Sequence, residues 1–293
     1  GHRACSGCGA ALALKYVTEA TGPNTIVSTP TGCMEVVSSP FPESAWGVSW
    51  IHDIFENAAA VASGVETAYK SFKKRGKEGY MDYDDVNFVV IAGDGATFDI
   101  GIRSLSGMME RGHDVLYICY DNEAYMNTGI QRSGSTPRGA STTTSPSGKV
   151  SFGNDTHKKD MPAIAAAHGL EFVATSSIAY PQDFKGKIEK ALKIDGPKYL
   201  QVHAPCPLGW EFESNQSVSV ARLAVQTAMY PVFEMTNGEV SDVMKINNRK
   251  PVEEYLKTQG RFKHLFKKEG GEEVIKELQQ YADKHAENLG LDK

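Results

Sequence analysis

The chain has 293 residues, 41% of them hydrophobic and 23% charged, which suits one large core or one domain with a modest appendage. A formal charge of -5 offers no basic face of the kind nucleic-acid binders use, and no apolar run approaches the ~18 residues of a membrane span. The opening "GHRACSGCGA" lacks the apolar stretch of a signal peptide, so the expected setting is the cytoplasm, away from membrane and nucleic acid.

Taken in chain order, residues 10–20 ("AALALKYVTEA") have the apolar spacing of a helix, and "TIVSTPTGC" reads as a strand ending in a turn that holds Cys33. From Asn57 an alanine-rich helix runs to the cationic "SFKKRGK", whose lysines read as a solvated helix end. "DYDDVNFVVIAG" leads into a strand at Asn87–Ile91 too apolar for half exposure. "DIGIRSLSGMMERG" is the following helix and "DVLYICY" the next strand. "MPAIAAAHG" (helix), "LEFVATSS" (strand), "DFKGKIEKALKI" (helix) and "KYLQVHAPC" (strand) continue the alternation, which predicts an α/β fold with a mainly parallel sheet covered by helices. Residues 131–160 form a polar loop too long for a mere connection, of the kind that covers a site. After about Met235 the pattern loosens into helices, predicting a main domain over 1–235 and a C-terminal extension over 236–293 that makes subunit contacts.

The stretch "IAGDGATFDIG" puts Asp94 between Gly93 and Gly95 at a strand's end, and the next strand delivers Asp121 and Asn122 to the same sheet edge. Ligands of doubly wound sheets sit beyond the carboxyl ends of strands, and a helix N-terminus there favours phosphate. A carboxylate, an amide oxygen and backbone carbonyls suit Mg²⁺ shared with a diphosphate. Residues 96–121 separate Gly95 from Asn122, a spacing that resembles the thiamine diphosphate motif. That likeness implies metal oxygens from Asp94, Asn122 and the Ala124 carbonyl. The motif commonly ends in two asparagines; here Asp121 replaces the first.

Cys5 and Cys8 form a CxxC pair, with Cys33 in "TGCME" and Cys206 in "APCPLGW". Four thiolates suit Zn²⁺ or a [4Fe–4S] cluster, and the spacing leaves both open. Cys119, inside "LYICY", reads as a small core residue.

Together, "GHRACSGCGAALAL", "TGCMEVVS", "WIHDIFENAAAVASG", "GDGATFDIG", "LSGMMERGHDVLYICYDNEAYMNTGIQRSGSTPRGASTTTSPSGK" and "APCPLGW" resemble the thiamine-diphosphate-binding β subunit of the pyruvate:ferredoxin oxidoreductase family. The resemblance covers residues 1 to about 215. It implies a thiamine diphosphate-binding fold, with Cys5, Cys8, Cys33 and Cys206 on a [4Fe–4S] cluster. Gly93, Asp94, Gly95, Asn122, Ala124 and Thr128 would bind cofactor and Mg²⁺, and Asn127 would stand beside the reacting ring. The chemistry implied is thiamine-dependent oxidative decarboxylation of a 2-oxoacid, with electrons leaving through the cluster to ferredoxin and, for pyruvate, acyl transfer to coenzyme A. Only one of the two α/β domains that clasp thiamine fits in this length, so partner subunits would supply the aminopyrimidine domain, its activating glutamate and further clusters.

Glu56 and Glu123 are the internal alternatives to that glutamate, and His52 is a candidate acid–base. Trp46, Trp50 and Trp210 read as packing or interface residues. Glu43, Gly47, Ser49, Asp53 and Phe98 depart from the family's usual choices and keep oxalate and other 2-oxoacids beside pyruvate. A non-oxidative thiamine lyase with structural zinc and a non-catalytic metal-binding scaffold are the readings from other classes.

Overall fold

In the computed structural model, residues 1–40, 42, 44–79 and 86–292 are described. Glu43 and residues 82–85 ("DYDD"), which precede the strand at 87–93, lie outside them. The elements are α1 (Gly9–Thr21), β1 (Thr25–Pro30), α2 (Cys33–Ser38), β2 (Ser49–Asp53), α3 (Ala58–Lys74), β3 (Asn87–Gly93), α4 (Ile102–Glu110) and β4 (Leu116–Asp121). Then follow α5 (Met161–Ala166), β5 (Phe172–Ser177), α6 (Pro181–Ala191), β6 (Lys198–His203), α7 (Pro207–Trp210) and α8 (Ser217–Gln226). The chain ends with β7 (Phe233–Thr236), β8 (Glu239–Val243), α9 (Val252–Lys257) and α10 (Gly271–Leu289). Among the described residues no helix is long and apolar enough to cross a membrane.

One sheet of eight strands runs in the order β2-β1-β3-β4-β6-β5-β7-β8. The first six are parallel, and β7 and β8 add an antiparallel margin. Alternation along each strand assigns the two faces. Val89, Ile91, Leu116, Ile118 and Val202 pack against α1 and α6, while Phe88, Val90, Tyr117, Cys119 and Tyr199 pack against α3, α4 and α5. β4, β5 and β6 are buried along their whole length, which is why they read as near-continuous apolar runs. A third core joins Ala140 of the long loop and Trp210 to α8, α9 and α10, so the segment after Met235 packs on residues from before it.

Three local features differ from the sequence expectation. Cys33 opens a helix instead of sitting in a turn. The helix after Asp94 starts with a π-helical stretch, Gly95–Ile100, before α4. "SWIHD", given no element in the sequence reading, is the edge strand β2.

The chain leaves β1 outward to β2 and returns to β3 on β1's other side. That reversal opens a crevice at the carboxyl ends of β1 and β3, where such sheets hold ligands.

Candidate cofactor and metal site

Three strand ends meet at this crevice. Thr31 and Cys33 follow β1, Gly93 and Gly95 close β3, and Asn122, Ala124, Asn127 and Thr128 follow β4; all line one pocket. Gly95 is required by close approach: a Cβ there would stand 2.3 Å from the Tyr125 ring, whose hydroxyl donates to Gly95 O at 3.0 Å. The π-helical turn begins at that glycine, a geometry that recurs at functional sites.

Asp94 is fully buried behind the pocket. Its Oδ2 accepts from Ser133 Oγ at 2.5 Å, and its Oδ1 accepts from the Asn122 backbone N–H at 3.3 Å. The side-chain oxygen of Asn122 faces acceptors, with Asp94 Oδ1 at 2.8 Å and Ala124 O at 2.9 Å. Three oxygens repel one another unless a cation lies between them or the amide turns over to donate. Octahedral ligands at the 2.0–2.1 Å of Mg²⁺ stand about 2.8–3.0 Å apart, so the separations fit the metal. Burial and the nearby Asp121 carboxylate push the Asp94 carboxyl well above its usual range, and a divalent cation would reverse that.

Asp121 faces away from this cluster. Lys158 Nζ pairs with its Oδ2 at 2.5 Å and with Glu123 Oε1 at 3.1 Å, and Ser135 and Gln201 donate to Asp121 at 2.5 and 2.7 Å. Arg261 Nη2 donates to Glu123 Oε2 at 2.6 Å. Burial opposes ionisation of Glu123, yet Lys158 and Arg261 hold its carboxyl down to about 2. A buried carboxylate locked between two cations is not free to activate a cofactor ring, so Glu123 is removed from that role. Glu56 stands in the turn before α3, close to Gly101 at the end of the π-helical stretch. The long loop 131–160 supplies Ser133, Ser135 and Lys158 to the site, while many of its other polar side chains face solvent.

The four thiols of the sequence pattern lie near one another: Cys5, Cys8, Cys33 and Cys206 interact electrostatically in every pairing. The CxxC loop is seated by Gly7, left-handed at φ 70°, where a Cβ would meet Ser214 O at 1.9 Å. Backbone N–H groups of Ala11 and Gly209 donate to the sulfurs of Cys8 and Cys206 at 3.4 and 3.3 Å. Burial and the other thiols push Cys33 up to about 12 against a hydrogen bond from Asn127. Thiols held so high become thiolate only beside a strong positive charge. Among the described residues no group of three or more His, Cys, Asp or Glu side chains is spaced for a single metal ion. Cys119 is fully buried in the core under α3 and α4.

Thr128 Oγ1 donates to Gln131 Oε1 at 2.6 Å at the pocket's mouth. His52 is exposed on β2, stacked on Trp50 and 3.1 Å from Thr31 Oγ1. Trp46 stacks on Trp50, but Trp210 does more than pack: its Nε1 donates to Asn122 O at 2.8 Å. Phe98 is fully buried in the core, away from the pocket, and Asp53 accepts from Ser28 Oγ at 2.6 Å. Sequence reasoning missed Ser133, Lys158, Arg261 and Trp210 as site residues. Lys158 in "HKKD" looks like a solvated charge, and no local pattern marks a partner so far along the chain.

Residues 30–202 match the thiamine pyrophosphate enzyme, C-terminal TPP binding domain. Among curated relatives, pyruvate synthase subunit PorB of Methanosarcina barkeri is 57% identical over 99% of this chain and 96% of its own. The same subunit of Thermotoga maritima is 47% identical over 99% and 90%. Ketoisovalerate oxidoreductase subunit VorB of Pyrococcus abyssi is 50% identical over 92% and 86%. A solved 2-oxoglutarate:ferredoxin oxidoreductase from Magnetococcus marinus aligns at TM-score 0.57 and 22% identity, over 70% of this chain and 64% of that one, a likeness of fold.

Replacing Lys158 by Met should cost about 3–5 kcal/mol, read as a lowered urea midpoint, because it leaves buried Asp121 without a cation and takes one of two from Glu123; an unchanged midpoint would refute the network's structural role. His203 is fully buried, and neither ring nitrogen has a hydrogen-bond partner. Burial lowers its pKa from 6.5 to about 3 against the pull of Glu123. Below pH 6.5 the unfolded chain takes up a proton that the folded one refuses, so stability should fall progressively from pH 6.5 towards 3. His203→Phe should shrink the difference in urea midpoint between pH 7.5 and 5.5; an equal difference in the variant would show that His203 does not drive it.

Proposed function

The chain belongs to the thiamine-diphosphate-binding β subunits of the 2-oxoacid:ferredoxin oxidoreductases, and on that premise we propose that its crevice holds Mg²⁺–thiamine diphosphate beside a [4Fe–4S] cluster and serves the oxidative decarboxylation of pyruvate to acetyl-coenzyme A. The observation that carries the proposal is the convergence of Asp94 Oδ1 and Ala124 O on the Asn122 side-chain amide, at 2.8 and 2.9 Å, on the same sheet edge as the four thiols. When bound, thiamine supplies the carbanion and the electron sink for decarboxylation, and the cluster accepts electrons singly.

The chain's own residues divide the work. Asp94, Asn122 and Ala124 hold the metal, and Gly93 and Gly95 let the backbone approach the diphosphate. Thr128 closes the pocket's mouth on the diphosphate side. Cys5, Cys8, Cys33 and Cys206 would hold the cluster, as the family resemblance implies. Asn127 lines the pocket and hydrogen-bonds Cys33, so it stands between the reacting ring and the cluster.

Pyruvate is the first choice of substrate because full-length relatives bearing the pyruvate synthase name match this chain at 47–57% identity. The ketoisovalerate relative, at 50%, supports a branched 2-oxoacid as the second reading. Other subunits complete the site with the aminopyrimidine domain and its activating glutamate, and ferredoxin takes the electrons. Asp94→Ala should abolish Mg²⁺-dependent thiamine diphosphate binding and turnover in the purified complex while the iron–sulfur absorption survives. Full activity in that variant would sink the metal assignment.

A further inference from the structure

We infer that Arg261 and Trp210 are positioning residues for the magnesium turn, so that the C-terminal segment and the loop of the fourth cysteine together aim the oxygens of Asn122 and Ala124. The inference rests on the metal reading proposed above.

The turn is a strained one. Glu123, between the two ligand residues, has a left-handed φ of 64°. A non-glycine residue in that region is strained and persists only where its surroundings over-determine it. Here four contacts converge on residues 122 and 123. Trp210 Nε1 donates to Asn122 O at 2.8 Å, and Thr136 Oγ1 donates to Glu123 O at 2.7 Å. Arg261 Nη2 and Lys158 Nζ take the two carboxylate oxygens of Glu123 at 2.6 and 3.1 Å.

Arg261 and Trp210 act as one unit. The guanidinium carbon lies 3.7 Å from the Trp210 ring centroid, and Arg261 Nε is fixed by Gln259 Oε1 at 2.9 Å. Gly260 N–H donates to Glu211 O at 3.1 Å, binding the segment to the residue after Trp210. Both side chains are buried, so water does not substitute for either contact. Neither touches the reacting groups; they act through the backbone and side chain of the turn, as outer-shell partners of a metal site do.

The test uses the complex purified with its partner subunits, titrated with Mg²⁺ while bound thiamine diphosphate is measured, with the visible iron–sulfur absorption recorded alongside. Trp210→Phe keeps the bulk and removes the N–H; it should raise the half-saturating Mg²⁺ concentration about 3–10-fold. Arg261→Met should raise it about 10–100-fold, with Arg261→Lys between wild type and Met. The visible absorption should be unchanged in Trp210→Phe and Arg261→Lys. Wild-type Mg²⁺ dependence in these variants overturns the inference while leaving the metal reading intact. A wild-type complex that binds thiamine diphosphate without Mg²⁺ overturns both. If Arg261→Met also loses the visible band, the Trp210→Phe titration decides.

Discussion

Three carboxylates, Asp94, Asp121 and Glu123, lie buried at the carboxyl edge of the sheet, where water is not available to solvate them. Two cations answer two of them: Lys158 bridges Asp121 and Glu123, and Arg261 completes Glu123. Among the described residues no Lys or Arg pairs with Asp94, whose oxygens have only the Ser133 hydroxyl, the Asn122 backbone N–H and the Asn122 side-chain amide beside them. A buried charge without a partner is among the most expensive features a fold can carry. A divalent cation, as proposed for this crevice, would supply the positive centre that Asp94 lacks.

The architecture explains why the deficit sits where it does. The reversal of strand order beside β1 opens the crevice, β3 and β4 bring Asp94 and Asn122 to it, and the turn after β1 brings Cys33. Cys206 follows β6, beside β4, and the helix it begins ends at Trp210, which bonds Asn122 O. Cys206 and the turn at Asn122 are therefore joined through a four-residue helix. The loop 131–160 and the segment around Arg261 close the back of the site with Ser133, Lys158 and Arg261.

Much of this was legible in the sequence because it is written in local pattern. The apolar runs at residues 87–91 and 115–120 gave the strands, and the Gly-Asp-Gly turn with Asn122 at a set distance pointed to the residues that line the pocket's back. The four cysteines that the family resemblance singled out are the four that the structure gathers. The exposed strand β2 was not seen because "SWIHD" is too short and too polar on one side to stand out from its loop. The antiparallel hairpin of β7 and β8 lacks the apolar run of the inner strands, since β8 faces solvent along most of its length. Lys158 and Arg261 were illegible for a different reason: a buried charge is defined by its partner, and Asp121, Glu123, Lys158 and Arg261 meet only through the tertiary fold. Glu123, one of the internal alternatives weighed for the activating glutamate, is held between Lys158 and Arg261, two cations that its sequence context does not reveal.

The most direct test of the account is a visible spectrum of the anaerobically purified complex before and after addition of pyruvate with coenzyme A. If thiamine and a [4Fe–4S] cluster share this sheet edge, a broad iron–sulfur absorption is present and bleaches when pyruvate and coenzyme A are added together. A complex that contains zinc without iron, and whose spectrum is unmoved by pyruvate or any other 2-oxoacid, would contradict it.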